Sequence, residues 1–199
     1  MSTIDVVPSD SRYVPLTQQR WCCVPACISM VMYRHNIPLV PQELIGYHLG
    51  VIVPEEELAY FWNGVSGEKP PSGWGTRTGL PQYEVNKALD NLEIPLKCTK
   101  ILIDSFHSLK EFEDYLGLTE KNDKDVLACF DWGVLNGEDK HNGHLCVIDR
   151  VYLSKSEIRL LDPEYKSPKW KTVSIKVLKE AMEFHGDPNS AGFWEFSKV

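Results

Sequence analysis

No stretch of the 199-residue chain approaches the ~18 to 20 consecutive apolar residues of a membrane-spanning helix, which argues against an integral membrane protein. Clustered basic charge is also missing. The 21 Lys and Arg are interleaved with 28 Asp and Glu, for a formal net charge of −7, and phosphate neutralisation needs Lys and Arg gathered on one surface. Nucleic acid is therefore excluded as a partner. The opening "MSTIDVVPSDSRYVPL" has neither the basic start nor the apolar stretch of a secretory signal, so a soluble, cytoplasmic protein is expected.

Two ligand-binding patterns are absent as well. The segment "GWGTRTG" (73–79) is rich in glycine, but it lacks both the preceding strand and the lysine of a phosphate-cradling loop. Zinc would have to be held by Cys22, Cys23, Cys27 and His35, or by His141, His144 and Cys146. Neither set completes the paired spacing of a structural zinc site, so no metal and no cofactor is expected. The six cysteines form an even number, but without an export signal reduced thiols are the better reading.

The chain does have the composition of an ordinary globular protein, 43% hydrophobic and 25% charged, long enough for one sizeable core. A single domain over 1–199 is expected, with 1–12 poorly ordered or extended. Residues 23 to 35, "CVPACISMVMYRH", read as a mostly buried helix with Pro25 tolerated in its first turn. Further helix starts follow Pro41 and Pro54, the latter with three glutamates at the positive end of the helix dipole. Residues 66 to 81 read as a long loop, 81 to 92 as an amphipathic helix, and Ser108 with Glu111 as a capping box before another.

The period then changes. "DVLACF" (125–130), "HLCVIDRVYL" (144–153) and "SEIRLLD" (156–162) are strand-like, and the short link between the last two predicts an antiparallel hairpin. A helix over 175–184 and a terminal strand "GFWEF" complete an α+β pattern, helices first and antiparallel strands later.

The thiols of "QQRWCCVPACISM" (18–30) raise the question of chemistry. A thiolate gains reactivity at a helix N-terminus beside an imidazole, and Cys23 stands at such a helix start. In an antiparallel hairpin the beginning of one strand lies beside the end of the next, so His144 and Asp162 should meet at one rim of the sheet. That would give a nucleophile, a general base and a group fixing the base's tautomer. An oxyanion needs donors, and either Gln18 or Gln19 could join the Cys23 amide, Gln18 being preferred on reach. Cys22 could pack, act as the nucleophile itself or form a redox pair with Cys23, and His141 is the alternative base. Trp74 and Arg77, on the long loop, are candidate substrate contacts of a flap over the cleft.

Gln18, Cys23 with Pro25, Ala26, Cys27 and Met30, then Gly143-His144 opening an apolar strand, then Asp162-Pro163, together resemble the papain-like cysteine peptidases of the bacteriocin-leader-processing (double-glycine, C39-like) type in stand-alone form. The resemblance spans roughly residues 14 to 165. It implies a papain-like fold with Cys23 as nucleophile, His144 as general base and acid, Asp162 as its orienting partner and Gln18 as oxyanion donor, acting on a peptide, protein or acyl-amide substrate. Hydrolase, acyltransferase and idle binding module share this skeleton. Val24 stands where the family usually has glycine, which brings bulk close to where substrate would pack. The glutamine sits one position nearer the cysteine than in some relatives.

Overall fold

The computed structural model describes residues 7–59, 69–164 and 169–199. Its centre is a six-stranded, wholly antiparallel sheet in the order β1-β6-β2-β3-β4-β5. The strands are β1 (Leu96–Leu102), β2 (Asp125–Asp131), β3 (Gly143–Tyr152), β4 (Glu157–Leu161), β5 (Trp170–Ser174) and β6 (Gly192–Lys198). Helices α1 (Cys23–Arg34), α2 (Gln42–His48) and α3 (Val85–Asn91) precede the sheet, while α4 (Leu109–Lys121), α5 (Trp132–Asn136) and α6 (Ile175–His185) are interleaved with it.

Strand alternation divides the core in two. Leu127, Cys129, Leu145 and Val147 pack with the apolar residues of α1, α2 and α3, whereas Val126, Ala128, Phe130, Cys146 and Ile148 pack with α4 and α6. The central strand β2 is thus covered on both faces and all seven of its residues are buried. That accounts for its nearly unbroken apolar run, where a strand with one wet face would alternate.

Several expected elements differ in extent. Behind Pro54 there is a single 3-10 turn, Glu55–Glu57, and the remainder of that expected helix from residue 60, like loop residues 66–68, lies outside the described residues. The expected helix over 81–92 begins as a 3-10 turn, Pro81–Tyr83, and becomes α3 only at Val85. Ser108 caps α4 through the Glu111 N–H, and Glu111 returns its carboxylate to the His107 N–H. The loop from 69 folds back in isolated bridges, Ile52 with Gly75 and Val53 with Ser72.

From Asp10 onward the N-terminal segment is hydrogen-bonded to β3 and β4. Asp149, wholly buried, accepts hydrogen bonds from Ser11 Oγ (2.9 Å), the Arg12 N–H (2.9 Å) and Arg159 Nε (2.7 Å). Register slips between Ile148 and Arg150 on β3. At this bulge Arg12 donates to the carbonyls of Asp149 (2.7 Å) and Ile148 (2.9 Å), supplying donors to two carbonyls where the ladder is disturbed.

Candidate active site

Helix α1 opens on Cys23, with Cys22 in the N-cap position making no side-chain cap. A thiol is a poor substitute for the Ser, Thr, Asp or Asn oxygen that normally accepts the first helical N–H groups. The positive end of the helix is therefore left for whatever meets Cys23. The turn into it, closed by the Cys22 N–H on the Gln19 carbonyl (3.0 Å), holds Trp21 at φ 62, an uncommon conformation for a bulky side chain.

Among the six cysteines, all free, only Cys23 is not buried. Cys22 lies at 0% exposure against Val51 and Val53, and burial pushes its thiol far above the ordinary value. Cys27 donates to the Leu145 carbonyl at 3.3 Å. Burial pushes Cys98, Cys129 and Cys146 up to about 12. Val24, where bulk near the substrate was expected, is buried in the core with α1.

The hairpin brings the other two residues together. Val147 pairs with Leu161, so Asp162 leaves the ladder beside the first residues of β3. His144 Nε2 lies 2.8 Å from Asp162 Oδ1, with both side chains buried. An ionised carboxylate only accepts, so the imidazole donates through Nε2 and its other nitrogen is left for the thiol. Burial pulls the imidazole pKa down. The Cys146 sulfur, the Asp162 hydrogen bond and the Cys23 sulfur together push it up by more, leaving it well above the ordinary histidine value. The Trp132 ring stands edge-on to the imidazole with centroids 4.8 Å apart, and Phe130 adds a second edge at 6.0 Å. Gly143, just before the histidine, lies against His185, whose ring would have to shift for a Cβ there, at 2.6 Å, to be accommodated.

Asp162 is fixed in turn by its backbone. Its N–H donates to the Lys169 carbonyl (2.7 Å), and its Oδ1 also accepts the Glu164 N–H (2.8 Å). Gln18 is pinned to the same turn, its N–H on the Pro163 carbonyl (2.9 Å) and its Nε2 on Glu164 Oε2 (3.0 Å), with Oε1 buried and without a partner among the described residues. Gln19 is exposed, and its N–H is taken by Gln42 Oε1 at 2.8 Å. Between the two glutamines, Gln18 has the direct tie to the Asp162 turn.

The loop candidates separate. Trp74 is 59% exposed, stands edge-on to Trp21 at 4.7 Å and receives Lys140 over its ring at 5.7 Å. It thus links the segment before Cys23 to the loop before His144. Arg77 is held in place, its Nε donating to the Gly50 carbonyl at 2.8 Å and its guanidinium lying over Tyr83 at 4.3 Å. His141 does not reach Asp162; its Nδ1 pairs with Asp131 Oδ1 at 2.9 Å and its ring stacks on Phe184. His35, at the opposite end of α1, pairs with Asp125.

Sequence reasoning missed Trp132 and Glu164, and it weighed Cys146 beside His144 only as part of a zinc set with His141. That pairing had a signal, since residues two apart on a strand share a face, whereas Trp132 and Glu164 had none.

No protein-family model matches the sequence, and no curated protein matches it either. Among solved structures, the chain is similar to a Bacillus anthracis protein described as a candidate C39-like peptidase, with 16% identity, a TM-score of 0.56, and coverage of 94% of this chain and 95% of that one. The chain has the C39-like peptidase fold. This α+β architecture, with helices packed on a six-stranded antiparallel sheet, agrees with the fold class implied by Cys23, His144 and Asp162 in the sequence. Among the described residues no helix is long and apolar enough to cross a membrane.

Proposed function

We propose that the protein is a thiol-dependent hydrolase of peptide or related amide bonds, acting through Cys23, His144 and Asp162. The observation that carries this reading is the pairing of a buried His–Asp couple with the one cysteine that is not buried, at an uncapped helix N-terminus.

His144 takes the Cys23 proton and the sulfur attacks the amide carbon, forming the C–S bond. Negative charge builds on the former carbonyl oxygen. The Cys23 N–H and the Gln18 N–H not engaged by Glu164 stabilise it. As the tetrahedral species collapses, the C–N bond breaks and His144 returns its proton to the departing amine. Water, deprotonated by the same imidazole, then cleaves the thioester and frees the acid and the thiol. Asp162 holds the imidazole tautomer throughout. The substrate is a peptide, protein or acyl-amide, with no cofactor and no nucleic acid involved, and the place of action is the cytoplasm.

Buried Val24 removes the steric ground for favouring an unusual acceptor over water. Turnover of a mixed peptide library, followed by mass spectrometry with and without added hydroxylamine, tests the reading. Hydrolysis that disappears in Cys23→Ser, with hydroxamate formed when the amine is present, is expected. Products that form only with the amine would make the protein an acyltransferase, and no turnover from any peptide or amide would leave it a binding module.

A further inference from the structure

Among the described residues one group of three metal-ligating side chains converges: His144, Cys146 and Asp162 place an imidazole nitrogen, a sulfur and a carboxylate oxygen within 4.8 Å of one another, all buried. Cys146 does not belong to the reaction proposed above, and its side chain shares the strand face of His144. The second observation is Asp162 Oδ2, which is buried and has no hydrogen-bond donor among the described residues. A buried carboxylate oxygen left without a donor is costly, and a cation is one of the few groups that would satisfy it without another side chain.

We propose that His144, Cys146 and Asp162 form an inhibitory site for a thiophilic divalent cation such as Zn²⁺. Imidazole, thiolate and carboxylate are all accepted zinc ligands, and a tetrahedral ion with bonds of about 2.0 to 2.3 Å separates its donors by roughly 3.3 to 3.8 Å. The donor groups already lie within 4.8 Å of one another, and they reach that spacing when the Asp162 carboxyl turns Oδ2 to the ion, its Oδ1 keeps the Glu164 N–H but releases the imidazole, and the Cys146 sulfur closes in. The Cys146 S–H bond breaks and its proton passes to solvent, His144 gives up its Nε2 proton while keeping one on Nδ1, and the S–Zn and N–Zn bonds form with no change of oxidation state. A fourth position is left for water or for the Cys23 sulfur. An imidazole held on zinc can no longer carry protons for Cys23, so the site switches the enzyme off. The regulatory consequence rests on the hydrolase reading; the binding itself does not.

Co²⁺ is the probe, because a cobalt–thiolate bond gives a near-ultraviolet charge-transfer band that histidine and carboxylate ligation do not. The Cys23→Ala protein removes both turnover and the exposed thiol, so the band reports on Cys146. One Co²⁺ per chain with this band, displaced by Zn²⁺, is expected. In Cys23→Ala/Cys146→Ser the band should vanish and Zn²⁺ affinity, measured against a chromophoric chelator, should fall at least tenfold. Should that variant lose its far-ultraviolet dichroism, Cys23→Ala/Asp162→Asn serves instead, with the band retained but the Zn²⁺ affinity weakened about tenfold. A Cys23→Ala protein that shows no charge-transfer band, a band that survives loss of Cys146, or an unchanged affinity in the Asp162 variant would overturn the proposal. Failure of the hydrolase reading leaves the band intact, and failure of the metal site leaves Cys23 reactivity intact, so the two are distinguishable.

Discussion

His144 Nε2 and the Glu164 backbone N–H converge on one oxygen of Asp162, each at 2.8 Å. The carboxylate is thus locked to its own turn before it orients the imidazole. Asp162→Asn keeps the volume but can present an N–H where an acceptor is needed, turning His144 to the wrong tautomer. Turnover should drop by on the order of 10³ to 10⁴, with the dichroism spectrum unchanged. A loss below tenfold would remove Asp162 from the mechanism.

The raised pKa of His144 has a thermodynamic sign. The folded imidazole holds its proton more tightly than the unfolded one, whose value is ~6.5, so its contribution to stability is fully present below that pH and is lost as pH rises through the higher folded value. Chemical denaturation of the wild type and of His144→Gln should therefore differ most at pH ~6 and converge as the pH is raised. Divergence on the alkaline side would mean that the burial that lowers the pKa outweighs the sulfur and carboxylate partners.

Gln18 is tethered by Glu164 with one N–H and offers the other. Gln18→Ala should cut kcat by about 10² to 10³ and leave KM nearly unaltered, as for loss of a donor used only when the oxyanion exists. Gln19→Ala, at an exposed position bonded through its backbone to Gln42, should change kcat less than twofold. Reversed sizes would move the oxyanion donor to Gln19.

Much of this site could be read from the sequence because its parts are local. Pro25 behind Cys23 marks a helix start, and a hairpin link of a few residues fixes which ends of β3 and β4 adjoin, so the His144–Asp162 contact follows from spacing. Strand β1 is less legible, since "LKCTKIL" gains its partner only from β6, nearly a hundred residues on. The same holds for β5, whose residues "WKTVS" are half exposed on the sheet edge. Arg77 illustrates the limit for polar side chains: its position on a glycine-rich loop suggested substrate, but its tie to the Gly50 carbonyl and the Tyr83 ring, more than twenty-five residues away in one case, could not be read from the sequence. Val24 was judged from the glycine it replaces, but which way a helical side chain points near a helix end depends on how α1 sits on the sheet.

The N-terminal strap adds a stability test away from the site. Asp149→Ala would leave Arg159 and the Ser11–Arg12 segment without their buried acceptor. Removing one partner of a buried ion pair costs about 3 to 5 kcal/mol, and urea denaturation should show a loss of that order. A change under ~1 kcal/mol would mean that water replaces the carboxylate and that the strap is dispensable.

The central claim is that Cys23 and His144 act as one unit. It is tested most directly by the pH dependence of alkylation with a small electrophile, locating the modified cysteine by mass spectrometry in the wild type and in His144→Ala. The account predicts that Cys23 alone reacts rapidly near neutral pH and that its advantage over the other cysteines disappears without His144. Dominant labelling of Cys22, or uniformly slow labelling of all six cysteines, would contradict it.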